Sequence, residues 1–158
     1  MSNAKNLALL FRRDLSRLIQ QIDAFPDDET FWRQLPGITN SAGNLVLHIE
    51  GNLREYIGRQ LGGLPFDRMR PLEFSSKGLP REELRMRIAE LKDAIPSVVS
   101  ELSSEQMQME YPEVVLGKPL STQEFLIHLY GHLNWHLGQV DYLRRALSGN
   151  GAVERTGL

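Results

Sequence analysis

Leucine, isoleucine and phenylalanine recur along this chain at steps of three and four, the spacing that keeps side chains on one face of an α-helix. The first stripe comprises Leu7, Leu10, Phe11, Leu15, Leu18, Ile22 and Phe25, and it closes at Pro26 and the Asp27-Asp28 pair. A second starts at Asn40 or Ser41, either a suitable N-cap. It passes through Leu45, Ile49, Leu53, Tyr56, Ile57 and Leu61, then stops at Gly62-Gly63. A third begins near Pro80, with Glu82 and Glu83 at the positive end of the helix dipole. Its apolar face reads Leu84, Ile88, Leu91, Ile95, Val98 and Leu102, and Pro96 is expected to kink or interrupt it. The fourth has the clearest start, because Ser121 and Glu124 match a capping box. It is expected to run through Leu147 and end at Ser148-Gly149-Asn150-Gly151.

Four long helices joined by long connections predict an all-α protein, a four-helix bundle over residues 1–150 followed by a C-terminal tail over 151–158. The connections at 62–79 and 103–120 are longer than compact domains usually carry, and such segments often shape a binding site. Residues 107–116 predict a short strand or hairpin, confined to an edge by Pro112.

Composition narrows the partners. A chain of 158 residues fits one domain, and its 41% hydrophobic and 24% charged content is that of an ordinary globular protein. A formal net charge of −2 gives no broad attraction to nucleic acid or anionic membrane. No apolar run approaches the roughly 18–20 residues needed to span a bilayer, and the first ten residues lack a signal peptide's apolar core. A cytoplasmic location is therefore expected. The absence of cysteine excludes disulfides, thiolate ligands and a cysteine nucleophile. Any bound metal must be held by histidine or carboxylate.

The chain has four histidines, His48, His128, His132 and His136, and three of them stand four apart on the fourth helix. Random placement produces such a triplet only about once in a thousand shuffles. Each step of four rotates about 40° around a helix, so neighbouring imidazoles share a face and can converge on one ion. His128 and His136 are about 12 Å apart along the axis, whereas metal–nitrogen bonds are about 2.0–2.1 Å. One ion therefore takes a neighbouring pair and something from elsewhere. His48, mid-helix between Leu45 and Ile49, is the obvious third ligand. Asn44 and Asn52 lie one turn either side of it, and Gln139 lies three residues beyond His136, placed to orient a ligand or meet a substrate. Taken singly, a helical histidine pair is more often a surface feature, and a lone core-edge histidine is more often simply hydrogen-bonded. Together they favour a metal site.

The run His132-Leu133-Asn134-Trp135-His136-Leu137-Gly138-Gln139 resembles the fourth-helix signature of the DinB/YfiT-like metalloenzyme superfamily. The run Leu47-His48-Ile49-Glu50-Gly51-Asn52-Leu53 resembles the second-helix histidine motif of one uncharacterised branch. Arg68, Arg70, Glu73 and Phe74 match that branch's arginine-rich segment in order, although Pro71 stands where it carries an acidic residue. The resemblance implies His48, His132 and His136 as the metal ligands, with His128 outside the triad. It also implies an up-down-down-up bundle, often a homodimer, binding zinc or nickel. Some members of the superfamily transfer low-molecular-weight thiols, so a thiol S-transferase is the expected activity. Asn52, Gln139, His128, Arg68 and Arg70 are the candidate supporting or substrate-contacting residues. A metal-dependent hydrolase, or a non-catalytic metal- or metabolite-binding module, is the alternative. No Ser-His-Asp set, phosphate loop or carboxylate pair offers a competing mechanism.

Overall fold

The computed structural model of the protein describes residues 2–153, and its regular elements are all helical. The tail expected over 151–158 lies outside the described residues from 154 onward. Helix α1 (Asn3–Asp23) starts at Ser2, whose hydroxyl accepts a hydrogen bond from the Lys5 N–H. A short helix α2 (Asp28–Trp32) follows, capped by Asp27, where the sequence suggested only a break. Helix α3 (Ala42–Leu53) is capped by Ser41 and continues as a π-helical segment, Arg54–Arg59. Helices α4 (Arg70–Ser75), α5 (Arg81–Glu101), α6 (Ser104–Gln108) and α7 (Thr122–Ser148) complete the order. Among the described residues no helix is long and apolar enough to cross a membrane.

The four apolar stripes meet in one core. Helix α1 packs on α5 and α7, and α3 packs on the same two, which closes a ring of four long helices. Every residue of α3 is buried, so this helix is enclosed by its neighbours on all sides. That enclosure puts its polar residues, Asn44, His48, Glu50 and Asn52, inside the protein, where each polar atom needs a partner. Helix α7 is anchored at both ends. Its N-terminus has the expected capping box of Ser121 and Glu124, and it ends on Gly149 in the left-handed conformation (φ 72°). Near its C-terminus the fully buried Arg144 bonds to Gln21 of α1, Asp141 and the Gly151 carbonyl.

Two local expectations change. Helix α5 runs without interruption through the buried Pro96. A proline removes the hydrogen bond it would have donated and crowds the carbonyl four residues back, which strains a helix without having to end it. The apolar packing of Leu91, Ile95 and Val99 on both sides carries the helix across. Residues 107–116 hold no strand, although the chain doubles back there as the hairpin alternative expected. They make α6 and then a narrow loop with two isolated antiparallel pairs, Glu110 with Ser121 and Val115 with Lys118. Leu116 (φ 55°) and Gly117 (φ 76°) turn its tip, both with positive φ, as a tight hairpin turn requires. The Tyr111 hydroxyl pins this loop by donating to the Tyr56 carbonyl in the π-helical segment.

Candidate metal centre

Helix α3 presents His48 towards α7, and α7 presents His132 and His136 back. His48 Nε2 lies 3.1 Å from His132 Nε2, and His136 Nε2 lies 3.2 Å from the same atom. One nitrogen from each of the three rings falls within 4.8 Å of the other two. Two ligands about 2.0–2.1 Å from one tetrahedral ion stand roughly 3.3 Å apart, so the triad already has the spacing of a metal's coordination edges.

The outer nitrogens determine what the inner ones can do. His48 Nδ1 is 2.8 Å from a Glu73 carboxylate oxygen, and His136 Nδ1 is 2.7 Å from Gln139 Oε1. Both partners are acceptors, so each Nδ1 carries the proton and each Nε2 is left with a lone pair. Those lone pairs converge on His132. Glu73 is itself held by Arg68, at 2.7 and 3.1 Å, in a two-pronged ion pair. Burial alone would raise the Glu73 carboxyl's pKa, but the bonds from His48 and Arg68 outweigh it and hold the group below its usual range. The His48 ring also lies against Phe74, 4.9 Å between centroids, which fixes its orientation from a second side.

The triad fits a divalent cation on three counts. Its spacing matches, the tautomers of His48 and His136 expose lone pairs, and one polar atom a helical turn from His48 lacks a partner. Asn52, one turn beyond His48, is buried, and its Oδ1 meets no hydrogen-bond donor among the described residues. The remaining expected residues occupy different surroundings. His128 is exposed and stacks on Phe125 at 5.8 Å, outside the triad. Arg70 is exposed, with its guanidinium over the Phe74 ring. The role of Glu73 as the partner of His48 was not legible beforehand. Its signal was the spacing of Arg68, Glu73 and Phe74 on a connection too long to be a plain loop. Gly51 is the complementary feature, since a Cβ there would stand 2.1 Å from a Glu73 oxygen.

Burial first, then the neighbouring His136 and His48, push the His132 imidazole down to about 4. Burial also lowers His136, against the opposing bond from Gln139. Both rings are therefore uncharged and able to ligate at neutral pH. In the unfolded chain they protonate near pH 6.5, so between there and about pH 4 the unfolded state binds more protons. Metal-free protein is expected to lose stability steadily as pH falls through that window. Urea unfolding at stepped pH checks this, and a flat profile from pH 7 to 4 would contradict the desolvation of His132 and His136.

The fold has a solved counterpart. The crystal structure of a DinB-like protein from Bacillus cereus ATCC 10987 matches with a TM-score of 0.67, covering 92% of this chain and 91% of that one at 19% identity. This chain has a DinB-like fold. No protein-family model and no curated protein matches it.

Proposed function

We propose that this chain binds one divalent metal ion, zinc or nickel, through His48, His132 and His136, and uses it to activate a small thiol for transfer to an electrophilic carbon. The observation that carries the reading is the convergence of three imidazole nitrogens, two of them on rings whose tautomers are set by Glu73 and Gln139. Three neutral ligands leave an open position and the ion's full charge, an arrangement of catalytic rather than structural sites. Held by His48, His132 and His136, such an ion would supply Lewis acidity, which favours the thiolate form of a small thiol at neutral pH. The sulfur then forms a bond to the acceptor carbon, the acceptor's leaving group departs with its electron pair, and the thiol proton goes to solvent.

The protein's own groups have separate tasks. Glu73, braced by Arg68, and Gln139 hold two of the ligating rings in register. Arg68 is thereby engaged, which makes the exposed Arg70 the better anchor for an anionic thiol. The thiol-transfer step rests on the family resemblance, as does a homodimeric assembly, whereas a cytoplasmic setting rests on composition. One observation favours hydrolysis as a second reading. The orphan acceptor of Asn52 suits a water, which carries the O–H donors that a thiolate lacks.

Elemental analysis of untagged protein, followed by a panel of thiols and electrophiles, tests the proposal. Transfer should vanish on chelation, return with zinc or nickel, and be absent in His48→Ala. A broad panel without metal-dependent transfer would end the transferase reading. Metal-dependent cleavage of esters or amides would then select the hydrolase. Tight thiol or metabolite binding without turnover would select a binding module.

A further inference from the structure

Helix α7 shows solvent a face unlike those of the other long helices. Its exposed residues between Glu124 and Arg145 are Ile127, His128, Gly131, Trp135, Gly138 and Tyr142, with no carboxylate, lysine or arginine among them. The exposed face of α5, by contrast, carries Glu82, Glu90, Asp93 and Glu101, as a solvated helix face usually does. Trp135 and Tyr142 are 70% and 72% exposed. Ile127, Gly131, Trp135, Gly138, Tyr142 and the exposed Ala146 succeed one another at steps of three and four. They form a stripe about 100° wide and about 28 Å long.

The two glycines of this stripe have no reason inside the chain. Glycine is the poorest helix former after proline, so its place in a helix interior calls for a packing cause. Gly43 and Gly51 on α3 have one, since a Cβ would stand 2.7 Å from the Trp32 ring and 2.1 Å from Glu73. At Gly131 and Gly138 a Cβ would meet no atom of the described residues within 4 Å. The space they keep open lies on the outside, beside two aromatic rings left mostly bare.

The order of large and small residues is its own complement. A two-fold axis level with the midpoint of residues 136 and 137 sets a second α7 antiparallel to the first. Trp135 is then level with the partner's Gly138, Tyr142 with the partner's Gly131, and Ile127 with the partner's Ala146. Each large side chain meets a small one. An unrelated partner would not require large and small residues to alternate symmetrically about one point of the helix. A tryptophan or tyrosine buries about 150–250 Å², so at these exposures the two rings offer roughly 200–350 Å² per protomer. A stable interface takes about 800 Å² from each partner. The apolar surface continues past the stripe, because Tyr142 and Ala146 also wall a cleft with Leu35 and Ile38.

We propose that α7 pairs with the α7 of a second copy of this chain through this stripe, antiparallel and in this register. The resemblance implies a dimer without saying where; the surface, orientation and register come from the stripe and depend on no bound metal.

Sedimentation velocity on the untagged full chain over roughly 1–100 μM tests the pairing, with zinc content measured on the same samples. Wild type should be dimeric at about 10 μM, and Trp135→Glu should weaken the dimer about thirtyfold or more, as loss of a central aromatic anchor does. Gly131→Glu should do the same with helicity unchanged by circular dichroism, because the position is open within the chain and glutamate is the better helix former. The absence of cysteine lets single introduced thiols read the register. Two copies of residue 138 would stand about 4–5 Å apart along α7 and two copies of residue 131 about 16 Å apart. Gly138→Cys should therefore crosslink to itself on mild oxidation and Gly131→Cys should not. A wild-type monomer at about 100 μM overturns the proposal whatever the zinc content. A dimer untouched by both glutamate variants also overturns it, by placing the contact on another face. Crosslinking of Gly131→Cys without that of Gly138→Cys refutes the register.

Discussion

Alanine at His132 is expected to abolish metal binding, whereas alanine at His128 is expected to leave it intact. His132 Nε2 is the atom both other rings approach, at 3.1 and 3.2 Å, so its removal leaves two nitrogens with no shared neighbour. Loss of an outer partner costs a metal site about 10–100-fold in affinity, and loss of one of three direct ligands should exceed that. His128 sits one turn away, exposed and stacked on Phe125. Zinc titration followed by calorimetry separates the two. Retention of zinc by His132→Ala together with its loss in His128→Ala would shift the site one turn along α7.

The second large effect is expected at a residue without a side chain. In Gly51→Ala the new methyl would stand 2.1 Å from Glu73 Oε1 and 2.8 Å from its Cδ. The carboxylate cannot simply swing aside, because it is buried and held by both His48 and Arg68. Overpacking of this kind costs about 1–3 kcal/mol. Freeing His48 Nδ1 from its acceptor adds a loss of about 10–100-fold in metal affinity. Glu73→Gln, which keeps the volume and removes the charge, should reproduce the affinity loss with a smaller change in stability. If Gly51→Ala unfolds at the wild-type urea concentration and binds zinc normally, the close approach is not a constraint.

The long elements were legible because each carries a repeated stripe and at least one terminal signal. Ser41 and Ser121 begin their helices as read, and Gly149 ends the last. The short helices were not, since five or six residues are too few to establish a period. Helix α2 is held by the Asp27 cap and by burial of Phe31 against Phe25, a contact fixed only once the chain has turned. The interruption expected at Pro96 is absent for the opposite reason. A local rule against proline was outweighed by packing on α1 that no window around residue 96 displays.

At the site, the histidines were legible because helical spacing and scarcity act together: only four exist, and three share one face. Glu73 was harder. It reaches His48 across 25 residues from a short helix on a connection, and no periodicity links the two. The pairing depends on Gly51 leaving room, a relation between three elements rather than a pattern within one.

The π-helical segment after α3 has a consequence for comparing this chain with others. Its hydrogen bonds reach five residues back, as from Gln60 N–H to the Glu55 carbonyl at 3.1 Å and from Gly62 N–H to Ile57 at 3.0 Å. Such a turn holds one residue more than the α-turn in the same place. An α-helix advances about 100° per residue, so without that turn the stretch beyond it would be rotated by about that angle against the half bearing His48. A homologue with an uninterrupted α-helix here should therefore be one residue shorter between Leu53 and Gly62. In an alignment the gap belongs inside this helix, and moving it out to the neighbouring loop would pair Tyr56 and Ile57 with residues of the wrong face.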